Sequence, residues 1–78
     1  MTANLSEWAE HLRDVARSLP WLTSFESTLY ASEGTLVFEV PTCLLAAYLA
    51  MTLRGTGAGN FVASGHTVIA RPPKERAS

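Results

Sequence analysis

From Leu5 onward the apolar residues recur at alternating steps of three and four. Leu5, Trp8, Ala9, Leu12, Val15, Ala16 and Leu19 fall on one side of a helix, and Glu7, Glu10, Arg13, Asp14, Arg17 and Ser18 fall on the other. Asn4 followed three residues later by Glu7 forms a capping-box start, in which each side chain can satisfy an orphan backbone donor of the first turn. Pro20 sets the end, because its ring pushes Leu19 out of helical geometry.

The period then changes to two. Phe25, Ser27 and Leu29 alternate with Glu26, Thr28 and Tyr30, and after Ala31-Ser32-Glu33-Gly34 the alternation resumes as Leu36, Phe38 and Val40 against Thr35, Val37 and Glu39. Two strands joined by a short loop are predicted over residues 22–40, with Gly34 supplying the positive φ that such loops need. Pro41 closes the second strand.

From Thr42 to Leu53 no residue carries a charge. Thr42 is the expected N-cap of a second helix and Gly55 its expected stop. At 100° per residue, Leu44, Leu45, Tyr48, Leu49, Met51 and Leu53 fill an arc of about 200°, and Cys43, Ala46, Ala47 and Ala50 line about 100° opposite. The large residues are expected to pack on the sheet and on Trp8, Leu12 and Val15. The small ones are expected to form an outward strip that another helix could approach closely.

After the glycine-rich loop Gly55-Thr56-Gly57-Ala58-Gly59-Asn60 come Phe61–Ala63, a Ser64-Gly65 turn, and a run from His66 to Arg71. These predict a second hairpin, unless Phe61–Ala63 is irregular. The order is αββαββ (or αββαβ), a small α+β domain over residues 1–71 with an antiparallel sheet of three or four strands and both helices on one face. The other face would carry Glu26, Thr28, Tyr30, Val37 and Glu39. Residues 72–78, Pro72-Pro73-Lys74-Glu75-Arg76-Ala77-Ser78, read as a flexible tail.

Composition narrows the function classes. Apolar residues make up 47% of the 78 residues and charged residues 17%, which is globular rather than disordered composition. A lone cysteine cannot form an internal disulfide, so a reducing cytoplasm is the expected setting. No membrane association is expected: as a helix the apolar run reaches only about 18 Å, short of a bilayer core of about 30 Å. The charged residues near the N-terminus interrupt any secretory signal core. Net charge is −1, split unevenly: residues 1–39 hold six acids against two arginines, and residues 40–78 hold Arg54, Arg71, Lys74 and Arg76 against Glu75. The C-terminal half is therefore basic and able to steer toward an acidic surface.

Candidate chemistry is thin. In Gly55–Gly59 the helix precedes the glycines, whereas a phosphate loop needs one after them. A Gly-x-x-Gly clamp for RNA fails because Ala58 and Asn60 stand where its second glycine would be. Cys43 at a helix start would favour a thiolate, but a nucleophile also needs a base, and only His11 and His66 are available. One cysteine and two histidines have no ligand-like spacing, so no metal or other cofactor is expected. Aromatic residues on strands beside arginines would suit single-stranded nucleic acid, yet Glu26 and Glu39 share the face of Tyr30.

The expected function is a non-enzymatic protein-binding module. It would occupy a partner protein's surface as an inhibitor or adaptor, or form a homodimer. Size and architecture alone place it in the genre of small inhibitors carried by mobile elements, anti-CRISPR proteins for example, a placement carried by no motif. Its candidate contact residues are Cys43, Ala46, Ala47, Ala50, Tyr30, Trp21, Arg54 and Arg71. Nucleic-acid binding through the basic C-terminal half is the alternative.

Overall fold

The computed structural model describes residues 5–73. The predicted cap at Asn4 and the tail from Lys74 to Ser78 lie outside the described residues. Six elements follow the predicted order: α1 (Leu5–Arg17), β1 (Glu26–Tyr30), β2 (Thr35–Glu39), α2 (Cys43–Thr56), β3 (Asn60–Ser64) and β4 (Thr67–Arg71). The strands form one antiparallel sheet in the order β1-β2-β4-β3. Residues 60–64 are thus a full strand, and the six-element alternative is the one realised.

Strand parity sorts the sheet into two faces. Leu36, Phe38, Val68, Ala70 and Phe61 point inward and are buried with Ala9, Leu12 and Ala16 of α1 and Ala46, Leu49, Ala50 and Leu53 of α2. Both helices therefore cover the same face. The register aligns Thr28, Val37, Ile69 and Val62 across the middle of the open face, with Tyr30, Thr35, Arg71 and Asn60 on one side and Glu26, Glu39, Thr67 and Ser64 on the other.

Polar contacts tie the layers together. Arg13 Nε donates to Ser27 Oγ at 2.8 Å, pinning α1 to β1. Trp8 Nε1 donates to the Ala58 carbonyl at 2.7 Å, which sets the start of α1 beside the end of α2. The ion pairs Arg13–Glu10 and Arg17–Asp14 lie within α1 and are open to water, so each contributes less than about 1 kcal/mol.

Two boundaries shift from the sequence prediction. Thr42 does cap α2, its hydroxyl accepting from Leu45 N–H at 3.1 Å. The helix, however, runs through Gly55 and stops at Gly57, which takes φ 71° and donates its N–H to the Arg54 carbonyl. A left-handed cap is needed after the last turn, and Gly57 stands there. The β3–β4 turn is Gly65-His66 rather than Ser64-Gly65, since Ser64 pairs with Thr67. A two-residue turn with glycine first and positive φ, 59° here, matches strand twist, and this draws His66 out of the strand. Gly59 has a separate reason to be glycine: at φ 150° a Cβ would collide with the Arg71 carbonyl oxygen.

Candidate protein-binding surface

The largest departure from the sequence prediction is the rotation of α2. Ala46 and Ala50, predicted to face outward, are 0% and 1% exposed, whereas Leu44, Tyr48 and Met51 are 60%, 50% and 62% exposed. Of the predicted arc of large residues, Leu49 and Leu53 face the core and Leu45 is half-buried beside it. The inward stripe is Ala46, Leu49, Ala50 and Leu53, a step pattern of three, one and three along one helical face.

Space under the helix explains this. The sheet's strands are five residues each, and the inner layer is already occupied by Phe38, Leu36, Val68, Phe61 and Leu12. Alanines at 46 and 50 let the α2 backbone sit close to that layer, leaving room for only two large side chains. Interiors are packed to crystal-like density, so the surplus large residues are displaced outward.

They do not scatter there. Leu44, Tyr48 and Met51, at steps of four and three, share the outward side of α2. Trp21, 37% exposed at the exit from α1, meets Tyr48 edge-on with ring centroids 6.1 Å apart. Such a T-shaped pair is worth about 0.5–1.5 kcal/mol beyond its area and favours this arrangement of the two rings. Between them Trp21, Leu45, Tyr48 and Thr52 line an open groove of about 340 Å³. Thr52 turns its hydroxyl back to the Tyr48 carbonyl at 2.9 Å, so its methyl group is left for the groove.

The predicted contact residues divide accordingly. Trp21 belongs to this surface, with exposed Ala47 and Cys43 on the adjoining side of α2. Ala46 and Ala50 are core. Tyr30 and Arg71 lie on the open face of the sheet, flanking Thr35, away from both helices. Arg54 is exposed but engaged, its Nε donating to the Phe61 carbonyl at 3.1 Å. Size and helical spacing alone put Leu44, Tyr48 and Met51 in the core, but one signal points the other way: the first ten residues of α2 have no polar side, in a chain too short to surround them.

A second open groove, about 360 Å³, runs along Ser24, Phe25, Glu26, Glu39, Val40 and Pro41. It brings Glu26 directly opposite Glu39 in the ladder, a like-charge pairing that strands disfavour. Among the described residues no three metal-ligating side chains gather, and no hydrogen bond joins Cys43 to either histidine. No described helix is long and apolar enough to cross a membrane. Comparison with known proteins gives no matching family model, no matching curated protein and no matching solved structure.

Proposed function

We propose that this chain is a non-enzymatic protein-binding module whose contact surface is the outward side of α2, with Leu44, Tyr48 and Met51 as its centre and Trp21 at its flank. One observation carries the reading: the outward side of α2 from Leu44 to Met51 is uncharged and holds three large exposed apolar side chains, on the outside of the layer it covers. Helix surfaces of that kind are normally enclosed, and a contiguous apolar patch on a small protein marks where another protein sits. Aromatic side chains and methionine are among the residue types enriched in such contacts.

The module would act by occupying an apolar site on a protein, as an inhibitor or adaptor of another protein or by pairing with a second copy of itself, in a reducing cytoplasm where the exposed thiol of Cys43 is stable. Nucleic-acid binding is the weaker reading. The open sheet face sets Glu26 and Glu39 against Arg71, and Arg54 is held at the edge of β3.

A photo-crosslinking amino acid at position 51, in the cells that express the protein, is expected to yield discrete protein adducts. The same group at Glu10, on the exposed polar side of α1, is expected to yield none. Equal, diffuse labelling from both positions, with tight oligonucleotide binding that weakens steeply as salt rises, would replace this reading with the nucleic-acid one.

A further inference from the structure

We infer that the occupant of this surface is a second copy of the chain, packed by antiparallel contact between the two α2 helices. The inference deepens the protein-binding reading and rests on it. Three observations select a second copy.

The first is charge. Residues 40–53 carry none, and the next charge on α2, the exposed Arg54, is turned to the Phe61 carbonyl, so the centre of the patch offers an occupant no ion to pair with. An identical uncharged surface satisfies that condition without leaving any ion desolvated.

The second is self-complementarity. Leu44, Ala47, Tyr48 and Met51 are symmetric about a point between 47 and 48. A two-fold axis there sets Leu44 level with Met51 of its partner at both ends of the seam. Ala47 then meets its own copy on one flank, which lets the backbones approach. Tyr48 meets its own copy on the other flank, the one that Trp21 already supports. Isologous contact of this type closes at two subunits.

The third is area. From the exposed fractions of Leu44, Tyr48, Met51 and Trp21, the patch offers on the order of 500 Å², near the upper end of what a monomer carries, about 300–600 Å². Two copies cover at most about 1,000 Å² together, the lower bound of a specific interface. A reversible dimer of modest affinity follows.

A rival route for a second copy is sheet extension at an edge strand, β1 or β3, and at β3 one blunting contact is visible. The Val40 N–H to His66 carbonyl bond fixes the ladder phase, and by that phase Phe61 and Ala63 turn their N–H and C=O groups to the edge. Arg54 Nε already occupies the Phe61 carbonyl, so this edge is blunted by a charged side chain.

Sedimentation equilibrium from 1 µM to 1 mM tests the inference. The wild-type chain is expected to pass from monomer to dimer within that range, and Met51→Glu is expected to weaken association at least tenfold with an unchanged far-UV circular dichroism spectrum. In a Cys43→Ser background, Ala47→Cys is expected to oxidise to a disulfide dimer with copper–phenanthroline. Cys43 in the wild type is expected not to, because the two copies would lie about 13 Å apart along the axis at about 1.5 Å per residue. A chain monomeric at 1 mM overturns the inference, and so does a dimer indifferent to Met51→Glu, which would point to a sheet edge, β1 or β3. Foreign-protein adducts at position 51 from a strictly monomeric chain would sink the dimer while leaving the protein-binding reading standing; no protein adducts at all would sink both.

Discussion

Phe38→Ala is expected to cost about 3–5 kcal/mol, a large share of what holds so short a chain folded. Phe38 sits on β2 between β1 and β4, fully buried, with its ring 5.7 Å from that of Phe25. Truncation there removes the largest fully buried side chain of the core and opens a cavity that both strand neighbours border. At about 0.05–0.15 kcal/mol per residue, a chain of 78 residues holds roughly 4–12 kcal/mol in all. A single cavity can therefore consume most of the stability. Urea denaturation followed by tryptophan fluorescence measures it, and a loss under about 1 kcal/mol would mean that Phe38 is not at the centre of the core.

Ala50→Leu is expected to destabilise by about 1–3 kcal/mol, whereas Leu44→Ala changes stability by less than about 0.5 kcal/mol at concentrations where the chain is monomeric. Ordinary intuition about large and small residues ranks these two the other way. Ala50 is 1% exposed against the sheet, and three added carbons have no space there without moving α2. Leu44 lies on the far side of the same helix with most of its surface in water. Paired thermal melts decide it, and a costly Leu44→Ala beside a neutral Ala50→Leu would mean that α2 is rotated by half a turn.

Much of the fold was legible because it depends on period and punctuation. The apolar stripe of α1 packs as predicted, with Ala9, Leu12 and Ala16 buried and Trp8, Val15 and Leu19 partly so. The β1–β2 hairpin was marked by alternation and by Gly34, whose φ is 64°. Glycine position alone does not place a boundary: Gly55 is helical, and the left-handed cap beyond the last turn is Gly57.

The rotation of α2 was not legible for a different reason. A helix with a polar side declares its orientation, because water holds that side. α2 has no such side, so its rotation is settled by the volume available beneath it, and that volume depends on side chains from β2, β3, β4 and α1 together. The candidate site inherited the error. Trp21 was named from residue type alone and lies on the surface, but the residues that make the patch large were placed inside.

Which side of α2 faces out is read directly by thiol accessibility. In a Cys43→Ser background, cysteines placed separately at 50 and 51 can be labelled with a maleimide at submicromolar concentration, where no dimer forms. Met51→Cys is expected to react at the rate of a free thiol, and Ala50→Cys only as fast as the protein unfolds. Fast labelling at 50 with protection at 51 would contradict the account, returning the small residues to the surface and removing the patch on which the proposed function rests.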